Sequence, residues 1–201
     1  MESDTTTGQD PRLEFFARVE AGDLEKVTRL LEADPGLTNV RNEGGDSPLL
    51  MALYHGRRDL ADLFLRAGAE VSLFEACVLG RKDLVEEHLR RDPDLARAYS
   101  HDGWTPLHLA CFFGQTEVAG LLIARGADVN ARSRTTRFAK ENTPLHAAAA
   151  NRQTAVAEIL LTHGADVNAR DGSGFTPLGL AASNKNDLLV TRLLEVGAQV
   201  S

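Results

Sequence analysis

The chain has 201 residues, of which 43% are hydrophobic, 25% charged and only 5% aromatic, with a net charge of −7. Those fractions are ordinary for a globular protein, and the acidic balance argues against a general nucleic-acid binder, which would carry a basic surface. There is no apolar run long enough to span a bilayer, and the first residues lack the basic start and apolar stretch of a signal peptide. A cytoplasmic protein without a membrane partner is expected. Arginine outnumbers lysine 18 to 4, a composition that accompanies GC-rich, bacterial-type genomes.

In chain order, the polar stretch 1–10 reads as a disordered N-terminal tail, and 11–201 as a single domain of six repeats. The first, about 11–41, opens at Phe15 and Phe16 and has its glycine at Gly22. The second, 42–69, carries Ser47-Pro48-Leu49-Leu50, then Gly56, Leu63-Phe64-Leu65 and Gly68. The third, 70–100, opens at Leu73 with its glycine at Gly80. The fourth, 101–137, carries Thr105-Pro106-Leu107-His108, Gly114, Leu121-Leu122 and Gly126 to Asn130. The fifth, 138–170, repeats Thr143-Pro144-Leu145-His146, Leu160-Leu161 and Gly164 to Asn168. The sixth, 171–201, has the near-copy Thr176-Pro177-Leu178-Gly179.

From Thr143 to Thr176 is 33 residues, and from Thr105 to Thr143 is 38, so five extra residues lie within 132–141. A shift of 58 residues places Phe16 on Phe74, Gly22 on Gly80, Asp34-Pro35 on Asp92-Pro93 and Gly68 on Gly126. The third repeat therefore begins as an N-terminal repeat does, without a connecting hairpin, and the junction before it is expected to be a weak point.

Each letter has a physical task. Proline fits the first turn of a helix, where its missing N–H would be unpaired anyway. Ser47, Thr105, Thr143 and Thr176 precede it as N-caps. Gly56 and Gly114 are expected to end the first helix of their pairs in the left-handed conformation, and Gly126, Gly164 and Gly197 the second. Val129 and Val167 are expected to fill the core beneath the following hairpin. Leu188 and Leu189 stand where the fourth repeat has Glu117 and Val118, so one of them should face outward.

Self-similarity at this period, in this lettering, resembles the ankyrin-repeat family from about Leu13 to the end of the chain. The resemblance implies an all-α solenoid of helix-turn-helix pairs joined by short β-hairpin loops. It also implies that His108 and His146 are structural, their rings bonding the backbone of the neighbouring hairpin. Asn130 and Asn168 sit in Asp-Val-Asn contexts like those hydroxylated in eukaryotic ankyrins, with a structural role as the simpler assignment. Cys77 and Cys111 occupy one position of adjacent repeats. Helices stack about 8–10 Å apart, beyond the roughly 4.4–6.8 Å Cα separation of a disulfide, so both read as buried free thiols.

No metal-ligand spacing, phosphate-cradling glycine loop or nucleophile with a neighbouring base occurs. The expectation is a monomeric, non-enzymatic adaptor or scaffold without cofactor or metal, binding another protein. The resemblance places the binding face at the hairpin tips and the ends of the first helices. Those positions hold Tyr54 and His55, then Val78 and Leu79, then His101, Asp102, Trp104, Phe112 and Phe113. Aromatic enrichment with a polar rim is what interface hot spots look like. The alternative is that Phe112 or Val78 fills space left by the missing hairpin. The lengthened loop 132–140 carries Arg132, Arg134, Arg137 and Lys140. It reads either as a solvated loop or as a docking finger for an acidic partner, with Arg134 and Arg137 pairing carboxylates or phosphates. In the second case the protein would be a regulator or inhibitor that occludes an enzyme or nucleic-acid site.

Overall fold

The computed structural model describes residues 11–135 and 140–200, and among them every regular element is helical. Two compact units divide between Glu70 and Val71, at the junction where the sequence lacks a hairpin. The tail 1–10 lies outside the described residues.

The first unit holds two helix pairs, α1 (Pro11–Ala21) with α2 (Leu24–Ala33), and α3 (Pro48–Tyr54) with α4 (Arg58–Arg66). Helix α1 packs on α3 and α2 on α4. Phe15 and Phe64 meet edge-on at 6.2 Å, and with Val19, Val27, Leu49 and Leu60 they are wholly buried. The outer side carries i,i+4 pairs instead, Glu14 with Arg18 and Glu25 with Arg29.

The second unit repeats the arrangement four times: α5 (Leu73–Leu79) with α6 (Lys82–Arg91), α7 (Pro106–Phe112) with α8 (Thr116–Ala124), α9 (Pro144–Ala150) with α10 (Thr154–Thr162), and α11 (Pro177–Ser183) with α12 (Asp187–Glu195). The odd helices stack in one layer, α5 on α7 on α9 on α11, and the even helices in a second. The layers close on small residues, Ala76, Ala110, Ala148 and Ala181, all with no exposed surface. Leu107, Leu122, Leu145, Leu160 and Leu193 fill the space between them, each contributing about 1.5–3 kcal/mol by burial.

The caps fall where the letters place them. Ser47, Thr105, Thr143 and Thr176 accept backbone N–H bonds at the starts of their helices. The third repeat lacks the Thr-Pro pair and builds its start from Ser72 and Glu75, a reciprocal capping box. Gly56, Gly114, Gly126, Gly164 and Gly197 all adopt positive φ. Cys77 and Cys111 are buried and free.

Two expectations need adjustment, and a third holds. The hairpins are tight turns, with no strand among the described residues: pairs of backbone bonds, such as Ser100 N–H to Trp104 O (2.8 Å) with Gly103 N–H to Ser100 O (3.0 Å), close them. Val129 and Val167 are half-buried, and Ala127 and Ala169 occupy the core of those loops instead. Of the leucine pair in the last repeat, Leu189 is buried and Leu188 is 70% exposed.

Candidate functional site

The aromatic residues singled out by sequence converge on one helix. Trp104 lies before α7, and its ring meets His108 at 5.6 Å and Phe112 at 5.7 Å, both edge-on. Positions 104, 108 and 112 therefore form a stripe along one helical face. Phe113 extends it, edge-on to Phe112 at 5.2 Å. Trp104, Phe112 and Phe113 are each half-buried.

A rigid frame holds this stripe. His108 is fully buried; its Nδ1 faces Thr105 Oγ1 at 2.7 Å and its Nε2 faces the Asn142 carbonyl at 3.0 Å. A carbonyl only accepts, so Nε2 carries the proton and Nδ1 accepts from the threonine. Burial pushes the imidazole pKa down to about 4, keeping it neutral. His146 repeats the geometry with Thr143 Oγ1 (2.8 Å) and Phe175 O (3.0 Å), and burial likewise lowers its pKa. Both histidines are structural, as the resemblance implies, and neither is placed to act on a substrate.

Further side chains satisfy helix-end carbonyls of a neighbouring repeat. Arg57 donates to Glu20 O, Gln115 Nε2 to Val78 O (2.8 Å) and Asn151 Nδ2 to Phe112 O (2.7 Å). On the hairpin side, Asn130 Nδ2 donates to Gly164 O (3.1 Å) and Asn168 Nδ2 to Gly197 O (3.2 Å). The two asparagines thus have a structural role.

The remaining candidates are distributed differently. Val78 is only 4% exposed, so its side chain belongs to the packing and not to the surface, which corrects its placement among the binding residues. Leu79 is half-buried beside it. His101 is exposed, and Asp102 is half-buried with its carboxylate accepting from Ser100 Oγ. Tyr54, half-buried, and His55, exposed, belong to the first unit.

In the lengthened loop, Arg132 is committed to the fold, donating to the carbonyls of Glu141 and Arg170. Arg134 is exposed and lies 3.7 Å over the Tyr99 ring, a cation–π contact. Its N–H bonds Gly103 O at 2.8 Å. Gly103 has φ +85, and a Cβ there would meet Thr135 N at 2.4 Å, so only glycine admits the loop this close. Arg137 lies outside the described residues.

Sequence reasoning missed three groups. Phe175, 52% exposed, precedes Thr176 as Trp104 precedes Thr105. Tyr99 is the seat for Arg134. Arg152 (φ 58) and Lys185 (φ 54) adopt the left-handed conformation at the position held by Gly22, Gly56, Gly80 and Gly114 in the four earlier repeats. A non-glycine residue there costs about 1 kcal/mol or more. The reason it is tolerated is local. A Cβ on Gly80 or Gly114 would meet Gln115 or Gln153 at 2.4 and 2.3 Å, whereas the shorter Asn186 stands in the equivalent place of the last repeat. Asn186 instead caps α12 and bonds Thr154 Oγ1. The signal was available in the sequence as a break in the run of glycines.

No group of three or more His, Cys, Asp or Glu side chains able to hold a metal occurs among the described residues, and no described helix is long and apolar enough to cross a membrane. A family model for ankyrin repeats, three copies long, matches residues 13–133 and again 132–201. The chain belongs to the ankyrin-repeat family. Ankyrin repeats are protein–protein interaction modules and generally not catalytic. Relatives include ankyrin repeat and SAM domain-containing protein 6 of Rattus norvegicus, 32% identical over 129 residues, covering 64% of this chain and 12% of the relative. Target of rapamycin complex 2 subunit AVO2 of Saccharomyces cerevisiae is 31% identical over 133 residues, 60% of this chain and 31% of the relative. Protein phosphatase 1 regulatory subunit 27 of Mus musculus is 29% identical over 117 residues, 58% of this chain and 60% of the relative. The chain thus spans from about an eighth to three-fifths of the length of these ankyrin-repeat relatives.

Proposed function

We propose that this ankyrin-repeat chain is a non-enzymatic adaptor that binds one partner protein through the face carrying Trp104, Phe112 and Phe113. The observation that carries the reading is the half-buried aromatic stripe along α7, in which Phe112 braces both Trp104 and Phe113 while the histidine clamp and the carbonyl bonds do the structural work. Pre-ordered side chains lose little entropy on binding, and aromatic anchors ringed by polar groups carry most interface energy. His101, and Arg134 through its backbone bond to Gly103 beside Trp104, supply polar groups to that rim. Relatives named as subunits of larger assemblies agree with such a role. A monomer acting in the cytoplasm completes the reading.

The test compares capture by the wild-type chain with capture by Trp104→Ala, Phe112→Ala and Phe113→Ala, alongside thermal melts. Each substitution should weaken affinity for the captured protein by about 1–4 kcal/mol with helicity kept. Variants that melt far lower would show that the rings are core, and variants that bind as wild type would remove the face from consideration.

A further inference from the structure

We infer that this face reads an extended acidic segment of the partner in a polyproline-II-like conformation, with an apolar anchor on the aromatic stripe and carboxylates opposite Arg152 and Lys185. The inference rests on the protein-binding reading above and adds the chemistry of what is bound.

The first observation is the pair of cations. Arg152 and Lys185 are 33 residues apart, hold the same position in consecutive repeats, and are both exposed. Neither side chain makes a hydrogen bond or ion pair among the described residues, although the chain as a whole has excess acid. Several other basic groups are engaged: Arg81 with Asp83, Arg192 with Glu158 and Glu195, Arg170 with Gly174 O. Two unpaired charges on backbone that disfavours any side chain point to a demand from outside the fold.

The second observation is continuity. Asn151, the residue before Arg152, donates to the carbonyl of Phe112, so the first cation stands one repeat along from the aromatic stripe. Lys185 stands one repeat further. The positions read aromatic, cation, cation in the fourth, fifth and sixth repeats.

The third is a match of lengths. Stacked helices are separated by about 8–10 Å. A polyproline-II segment rises about 3.1 Å per residue with three residues per turn, so side chains three apart share a face and recur about every 9 Å. An apolar residue followed by acids at the third and sixth positions would present all three groups in register with the stripe, Arg152 and Lys185. A β-strand would not, since its side chains alternate with a period of two. Nucleic acid would need a longer basic surface than two cations provide in a chain of net charge −7.

The experiment uses the full chain and fluorescein-labelled peptides in an anisotropy titration. One peptide carries leucine, then glutamates three and six residues on, with proline and serine between. Its isomer has the same composition with glutamates two and four residues on. The first should bind about tenfold more tightly. Arg152→Gly and Lys185→Gly install the residue of the earlier repeats, so melting should hold or rise while affinity for the first peptide falls about two- to fivefold each and its salt dependence weakens. Equal binding of the two isomers, unchanged affinity in the glycine variants, no peptide binding, or tighter binding of a single-stranded oligonucleotide would each overturn the inference. If the peptides fail while Trp104→Ala and Phe112→Ala still lose the captured protein, the acidic register falls and the broader reading stands. If those alanine variants also leave capture unchanged, both fall.

Discussion

The fifth and sixth repeats are built on one plan, and one of the helix positions at which they differ decides whether the first helix is bridged to a following loop. In the fifth, His146 sits between Thr143 and the carbonyl of Phe175, tying the first helix to the loop that follows it. In the sixth the same place is Gly179, and Thr176 Oγ1 accepts only the glycine N–H at 3.2 Å. The inner surfaces remain alike, with Leu160 and Leu193 both fully buried. The outer surfaces diverge: Leu188 is 70% and Leu194 44% exposed on α12. The contrast separates a repeat's burial, which comes from its neighbour in the stack, from the side-chain bridge, which is present in one repeat and absent from the other while the inner leucine stays buried in both.

The sharpest way to break the comparison is to take the bridge from a repeat that has it. His108→Ala removes a buried ring and one of the two hydrogen bonds to the Asn142 carbonyl, which keeps the bond from Ser133 N–H, and should cost about 2–5 kcal/mol in urea unfolding. A loss under about 1 kcal/mol would mean that the bridge is incidental to the stack.

Acid should weaken the bridged repeats through the same rings. Burial lowers the folded pKa of His108 to about 4 from an ordinary 6.5, so the unfolded chain binds its proton more readily. The stabilisation is complete above about pH 6.5 and is lost as pH falls toward 4, a change on the order of 3 kcal/mol. Urea midpoints between pH 7 and pH 4 would measure it, and His108→Ala should flatten the profile. The sixth repeat, with Gly179, has no such ring to titrate.

Filling the bridge position without a bridge should have a smaller effect of opposite sign. Gly179 lies within α11, and an added Cβ would only touch Thr176 Oγ1 at 3.5 Å. Gly179→Ala should therefore raise stability by about 0.5–1 kcal/mol, read as slower amide exchange in α11 and α12. Smallest of all, Leu188→Glu copies the residue of the fourth repeat and should move the melting free energy by no more than about 0.5 kcal/mol.

The sequence exposed most of the frame because the frame is made of local rules. Thr-Pro caps, closing glycines and the two histidines act within a few residues of themselves or at one repeat's distance, so their spacing carries their geometry. Val78 was misplaced for a reason the letters hide. Val78 and Phe112 both stand two residues before the positive-φ glycine of their helices, Gly80 and Gly114, and the shorter valine side chain is buried there while the larger ring stays half-buried. The stacking of Arg134 on Tyr99 spans an insertion of unknown path, which no periodicity can locate. Arg152 and Lys185 went unnoticed because a glycine position filled by a cation looks like simple drift until the φ angles show that the backbone has not relaxed.

The bonds to the carbonyls at the ends of the first helices have a direction, opposite to that of the Asn130 and Asn168 bonds on the hairpin side. Arg57, Gln115 and Asn151 all lie later in the chain than the carbonyls of Glu20, Val78 and Phe112 that they satisfy. On a ribosome, where the N-terminal part emerges first, a helix pair therefore remains incomplete until the beginning of its successor has been made. Order should advance along the nascent chain one repeat behind synthesis, and each new repeat finishes its predecessor before it is itself finished.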